Sequence, residues 1–178
     1  TGEEAYSLAI LLKEYMEEHN INREVKLFAT DIDNDSIAYA GSGLYPESII
    51  SDISAKRLSK YFTRRQEGYQ VNESIRRMVI FAEHNVLRDP PFSKIDLLTC
   101  RNMLIYLNNE IQQRLLSMFY VALNKSCYMF LGSSESIGEF SSGFKAIDTK
   151  WKIYKHIPGY APPINEGYLV APIRKGSN

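Results

Sequence analysis

Cysteine, histidine and long apolar runs are all scarce in this 178-residue sequence, and each shortage closes off a class of protein. Two cysteines, Cys100 and Cys127, are too few for a disulfide scaffold or a four-ligand zinc site. The three histidines, His19, His84 and His156, stand at no spacing that suggests a metal, and none is expected. No apolar run, Leu8 to Leu12 and Met129 to Leu131 among them, approaches the length of a membrane span. Net charge is missing too: 21 Lys and Arg balance 21 Asp and Glu, which argues against a surface devoted to nucleic acid. No targeting segment, internal repeat or low-complexity tract is visible. Thr1 is not a start methionine, so the chain reads as a piece of a longer protein. What remains is ordinary for a globular domain, with 44% apolar and 24% charged residues and enough chain for a sizeable core.

The balanced total hides an uneven distribution. Residues 1–55 carry eleven acids and three bases. Residues 56–77 carry seven bases (Lys56, Arg57, Lys60, Arg64, Arg65, Arg76 and Arg77) against Glu67 and Glu73. So dense a cationic segment either solvates a helix face or attracts an anionic partner.

Helical and strand patterns alternate along most of the chain. Thr1 with Glu4 fits a capping box opening a helix that runs to about His19. Val25 to Thr30 reads as a buried strand ending in Asp31-Ile32-Asp33. Asn34 and Asp35 are ready caps for a short helix through Ala40, stopped by Gly41 and Gly43. Residues 44–77 interrupt the alternation with the basic cluster, several aromatics and a turn at Glu67-Gly68. Strand patterns return at Met78 to Ala82, Ile95 to Thr99, Tyr128 to Gly132 and Trp151 to Ile157, and Asn108 opens a strongly periodic helix. Continuous apolar strands separated by helices predict an α/β fold, a mainly parallel sheet covered on both faces. Four of the seven prolines fall between Pro158 and Pro172, so residues 158–178 read as a linker or tail.

In such a sheet the ligand lies beyond the carboxyl ends of the strands. Polar residues follow each strand here: Asp31 and Asp33, then Glu83, His84 and Asn85, then Cys100, Arg101 and Asn102. An acid after an early strand suits ribose hydroxyls, and it suits a helix cap equally well. Ser133, Ser134 and Glu135 have no partnered histidine, which disfavours acyl transfer.

Several of these segments form an ordered pattern. Thr1-Gly2-Glu3-Glu4-Ala5-Tyr6-Ser7 is followed by Ala29-Thr30-Asp31-Ile32-Asp33, Asn85-Val86-Leu87 and Asp89-Pro90-Pro91-Phe92. Asp96 to Tyr106, which contains Cys100-Arg101-Asn102, and Phe130 to Glu135 complete it. Together they resemble the CheR family of chemotaxis-type protein-glutamate O-methyltransferases from Thr1 to about Ile157. The wording of residues 44–106 and Trp151-Lys152-Ile153-Tyr154 are similar to large CheB–CheR fusion proteins, with neighbouring CheB-like and sensor domains.

The resemblance implies a Rossmann-like methyltransferase domain over residues 1–157. It would lack the family's first strand at its N-terminus and carry a small inserted β-subdomain at about residues 44–77. It implies S-adenosylmethionine as cofactor, S-adenosylhomocysteine as product, and transfer of the methyl group to glutamate side chains of a chemoreceptor in the cytoplasm. Glu4 matches the carboxylate that engages the methionine part, and Asp31 the acid that holds the ribose. Asn85 and Val86 match the pair beside the adenine. Cys100 and Arg101 match the loop near the sulfonium, with Asn102 a supporting residue of the cofactor site, and Tyr106 matches the tyrosine near the transferred methyl. Arg101 and Tyr106 are the expected catalytic pair. Arg64 and Arg65, in the insert, are the expected contacts to a glutamate-rich partner. Asn124-Lys125-Ser126-Cys127 stands where relatives usually carry a Pro-Gly-Gly turn. The alternative to an enzyme is a non-catalytic signalling module that retains the fold. A nucleic-acid methyltransferase is disfavoured, since Asp89-Pro90-Pro91-Phe92 only faintly echoes the signal of that class.

Overall fold

Residues 1–162 are described by the computed structural model, and the chain divides between Asn85 and Val86 into two units. Of the expected tail, residues 163–178 lie outside the described residues, and Pro158 to Pro162 have no regular secondary structure.

The first unit is built on helix α1 (Glu3–Glu18), strand β1 (Leu27–Asp31), helix α2 (Asn34–Ser42) and strand β5 (Val79–Glu83). β1 and β5 pair in parallel, from Leu27 opposite Val79 to Asp31 opposite Glu83. Side chains alternate across a strand, so Leu27, Ala29, Val79 and Phe81 turn to one face and pack with Tyr6, Ala9 and Ile10 of α1. Phe28 and Ile80, opposite each other on the other face, are exposed.

The capping box is not formed. Gly2, not Thr1, is the N-cap of α1, with φ of 93° and no side-chain cap bond. The reason is a close approach: a Cβ on Gly2 would lie 2.8 Å from the Cβ of Ala40. The Tyr45 hydroxyl donates to the Thr1 carbonyl at 3.1 Å and the Tyr6 hydroxyl to the Ala40 carbonyl at 2.9 Å. These contacts dock the Thr1-Gly2 turn against α2, and the Thr1 hydroxyl bonds Glu3 instead of a backbone amide.

Residues 44–77 form the inserted unit that the break in periodicity suggests. It holds β2 (Leu44–Tyr45), α3 (Ala55–Tyr61), β3 (Phe62–Arg65), β4 (Gly68–Val71) and the single turn α4 (Glu73–Arg76). The strands make an antiparallel sheet in the order β2-β4-β3. Much of the basic cluster is spent inside the chain. Arg57 on α3 grips Glu14 of α1 through both carboxylate oxygens, and Lys60 reaches Glu17 one turn further along, at 2.5 Å. The Arg57 guanidinium holds the Glu14 carboxyl below the ordinary carboxylate range, and the Lys60 ammonium does the same for Glu17. Pairs this exposed add little stability but fix the side on which α3 meets α1. The acidic and basic stretches of the sequence are therefore partly each other's counterions.

The second unit contains β6 (Ile95–Cys100), α5 (Asn109–Ala122), β7 (Leu123–Leu131), β8 (Phe144–Asp148) and β9 (Ile153–His156). Its sheet runs β6-β7-β9-β8, with β6 and β7 parallel. Asn108 caps α5 by accepting from the Ile111 amide at 2.9 Å. Leu115, Leu116 and Phe119 from α5 bury against Met129, Leu131, Phe140 and Phe144. Mainly parallel pairing was the expectation from the apolar runs, and the sheets are mixed. Four of the six strand pairings among the described residues are antiparallel. Two belong to the insert. Of the others, β8/β9 follows from connection length, because residues 149–152 are too few for a parallel crossover, which takes about a dozen. β8 itself, exposed over Lys145 to Ile147, carries no apolar run to announce it.

The segment Asn124 to Cys127 bulges from β7, with Ser126 in the left-handed region at φ of 62°. Asp96 on β6 secures it, its carboxylate accepting from the Asn124 side-chain Nδ2 at 2.7 Å. The strand therefore carries a bulge held from its neighbour at this place.

At the end of β9, buried His156 stacks on Tyr120 with ring centroids 4.3 Å apart. The Tyr120 hydroxyl donates to the Ile157 carbonyl at 2.8 Å and accepts from the Tyr160 amide at 3.0 Å. Burial pushes the His156 pKa down, against a smaller upward pull from a bond to the Tyr120 backbone. The unfolded chain therefore binds a proton more readily than the folded one below about pH 6.5, and stability falls as pH falls through that value. Melting curves between pH 7.5 and 5.5 should show wild type losing more stability than His156→Phe; parallel loss in both would remove His156 as the cause.

Candidate functional site

In the first unit the polar groups collect at the carboxyl ends of β1 and β5. Asp31 Oδ1 accepts from the Asp33 amide at 3.0 Å, and the Asp31 carbonyl accepts from the His84 amide at 2.9 Å. Asp33 is the N-cap of α2, taking the Asp35 and Ser36 amides and the Ser36 hydroxyl at 2.6 Å. Those bonds, the Ser36 hydroxyl foremost, hold the Asp33 carboxyl below its ordinary value. The two aspartates thus divide the roles that the sequence left open: Asp33, rather than Asn34 or Asp35, caps the helix, and Asp31 is presented exposed at the strand end. Asn34 donates to Glu83 at 2.8 Å and so ties the two strand ends together. Glu4 lies exposed in the first turn of α1, and Asn85 is half-buried just past β5.

In the second unit the corresponding ends are those of β6 and β7. Cys100 closes β6 and is buried, while Arg101 is exposed with its guanidinium 4.9 Å from the centre of the Phe130 ring on β7. Asn102 sits at φ of 58°, a conformation asparagine tolerates better than most residues. Leu104 to Tyr106 form one 3-10 turn, anchored by Leu104 at 1% exposure while Tyr106 is 80% exposed. Gln112 of α5 donates to the Leu104 and Leu107 carbonyls at 3.0 and 2.8 Å. Arg101, Asn102 and Tyr106 are therefore displayed on one pinned loop. Val86 is half-buried and packs on the apolar core of this unit.

The sequence reading did not assign a role to Glu135 or Gln112. Glu135 is buried, and its carboxylate takes three backbone amides, two from the loop after β6 and one from Gly132 just past β7. The signals in the sequence are an acid soon after an apolar strand and its place at the end of the Phe130 to Glu135 motif.

Arg64 and Arg65 are adjacent on β3 and both exposed, but the strand turns them to opposite faces. Arg64 pairs with Glu47 at 2.5 Å and lies 5.8 Å from the Tyr69 ring. Arg65, hydrogen-bonded to Gln70, lines an open cleft of about 830 Å³ with Arg76, Arg77, Thr63, Tyr6 and Phe81. Among the described residues no group of three or more acids, histidines or cysteines is arranged to hold a metal, and no helix is long and apolar enough to cross a membrane.

The first unit presents carboxylates at its strand ends, and the second a tethered polar loop. Residues 1–153 match the CheR methyltransferase SAM-binding domain, and the chain belongs to that family. A chemotaxis protein methyltransferase of Borreliella burgdorferi is 39% identical over 140 residues, covering 77% of this chain and 50% of that protein. Chemotaxis protein methyltransferase 2 of Vibrio cholerae is 30% identical over 167 residues, 92% of this chain and 56% of the other. A 104.1 kDa protein from the hypE 3′ region of Rhodobacter capsulatus is 39% identical over 163 residues, 91% of this chain but 17% of its own length. The chain thus spans from 17% to 56% of the length of these relatives.

The donor set suits S-adenosylmethionine. That molecule carries a sulfonium, an ammonium and a ribose diol, all of which call for acceptors or negative charge. Exposed Glu4 and Asp31, within the acid-rich residues 1–55, supply both.

Proposed function

We propose that this chain is most of the catalytic domain, residues 1–157, of a cytoplasmic methyltransferase that esterifies glutamate side chains of a chemoreceptor-like protein, with CheB-like and sensor domains as neighbours in a longer polypeptide. The observation that carries the reading is the display of Arg101 and Tyr106 on one loop fixed at both ends, in a chain of this family. S-adenosylmethionine supplies an electrophilic methyl group, and S-adenosylhomocysteine is what remains. In this reading Glu4 holds the ammonium and Asp31 the ribose hydroxyls. Asn85 and Val86 flank the adenine, and Cys100 and Asn102 lie toward the sulfonium.

A glutamate carboxylate, with a pKa near ~4.3, is already an anionic nucleophile at neutral pH, so no general base is required. The protein has to align the attacking oxygen with the methyl carbon and keep water out. Arg101 orients the carboxylate by charge-assisted bonds. Its stacking on Phe130 keeps the guanidinium from swinging freely. Tyr106, exposed beside it on the loop, positions the reactants through its ring and hydroxyl.

The direct test is calorimetry with S-adenosylmethionine and S-adenosylhomocysteine on the full-length protein, followed by base-labile methyl incorporation into a glutamate-rich receptor domain. Absence of cofactor binding would sink the enzyme reading; binding without transfer would favour the non-catalytic module. Arg64 and Arg65 are proposed to engage the acidic substrate, with Arg65 in the cleft the stronger contributor. Reversing both to Glu should raise the KM for the protein substrate about tenfold, as expected for rim charges that steer association, with cofactor affinity unchanged. A parallel loss of both affinities would count against a partner-binding role.

A further inference from the structure

The geometry points to Glu135 as a positioning residue for methyl transfer, acting through the loop that carries Arg101 and Tyr106. The inference rests on the catalytic reading of those two residues.

Glu135 is 3% exposed. Its Oε1 accepts from the Met103 amide at 2.9 Å and the Leu104 amide at 2.8 Å, and its Oε2 accepts from the Gly132 amide at 2.6 Å. All three partners are backbone N–H groups, so a carboxylate is buried against main chain. Burying an ionised group is costly, and several charge-assisted amide bonds are what make it tolerable. A neutral apolar residue would fill the same space at lower cost, which indicates that the amides themselves are what the carboxylate is there to hold.

Those amides sit where the loop geometry is decided. Met103 and Leu104 lie between Arg101 and Asn102 on one side and Tyr106 on the other, so fixing two consecutive N–H groups sets the direction of both flanks. The loop enters this position through the left-handed Asn102. Gly132, from the end of β7, lets the two strand ends meet. A Cβ there would lie 2.8 Å from Glu135 Oε2, 2.9 Å from Asn102 Oδ1 and 3.0 Å from the Asn102 amide nitrogen. One carboxylate therefore ties the ends of β6 and β7 together at the base of the loop.

Glu135→Gln keeps the shape but changes the donor pattern. The glutamine carbonyl still accepts from Met103 and Leu104, while its NH₂ group meets the Gly132 N–H, donor against donor. In the full-length protein, exchange of the Met103, Leu104 and Gly132 amides should quicken by about tenfold or more, with Met129 and Leu131 in β7 unchanged. The kcat for methyl transfer should fall by roughly 10- to 100-fold while cofactor affinity changes by less than about threefold. Because Glu135 acts through Arg101 and Tyr106, adding Glu135→Gln to the Arg101→Ala, Tyr106→Ala double variant should cost little more than that double variant alone. Gly132→Ala pushes on the same contact from the other side and serves if Glu135→Gln does not fold; it should reproduce the kcat loss. An inactive wild-type protein overturns the methyltransferase reading and this inference with it. An active wild type with loosened amides but unaltered kcat overturns the positioning role alone.

Discussion

Phe140→Ala should destabilise the second unit by about 3–5 kcal/mol, the range for removing a large aromatic from a closed core. The ring is fully buried within the 3-10 turn Gly138–Ser142 and stands edge-on to Tyr160 at 5.9 Å between centroids. It packs in the same cluster as Leu115, Met129, Leu131 and Phe144, from α5, β7 and β8, so three elements lose a shared partner at once. Trp151 is the control: it is larger but 59% exposed, and Trp151→Ala should stay within about 0.5–1 kcal/mol. Urea unfolding followed in the second unit, with unchanged slope and a shifted midpoint, measures both. Similar midpoint shifts for the two variants would mean that the core has been misplaced.

Asp31→Ala should weaken S-adenosylmethionine binding by about 100-fold. The proposed contact is a pair of charge-assisted bonds to ribose hydroxyls, each worth about 1.5–3 kcal/mol, and about 3 kcal/mol in total corresponds to that factor. Asp31 also accepts from the Asp33 amide, and Asp33 caps α2, so alanine carries a structural side effect. Asp31→Asn separates the two, because its carbonyl oxygen still receives the Asp33 amide while the negative charge is gone. Asparagine should therefore keep the melting temperature close to wild type and still lose most of the affinity. Calorimetry and thermal denaturation on the three proteins decide it, and undiminished affinity in Asp31→Asn would remove Asp31 from the cofactor site.

The elements that the sequence made legible were those with a strong local signal. The helix after Asn108 begins where its cap stands, because an asparagine side chain can satisfy the Ile111 amide wherever the chain turns helical. The strands ending in Asp31 and near Cys100 were marked by apolar runs that break at polar residues. The start of α1 was misplaced because Gly2 is fitted against Ala40, a partner 38 positions away. β8 was missed because only contact with β9 makes a strand of a mostly exposed segment. The candidate site shows the same division. Asp31, Arg101, Tyr106 and Glu135 all stand in ordered motifs, but what Glu135 does is decided by amides some thirty residues upstream.

The scarcity of cysteine, histidine and apolar runs excluded whole classes of protein, and ordered motifs pointed to the family, because both are properties of residues and their spacing alone. The destination of the charge was settled only by tertiary structure. Seven cations in 22 residues left open a solvated face or a surface for a partner; folding sets Arg57 and Lys60 against Glu14 and Glu17 and Arg64 against Glu47, while Arg77 pairs locally with Glu73. Coulomb attraction acts over a few ångströms in space, not along the chain. Folding brings α3 beside α1, and that proximity decides which of those charges already have counterions.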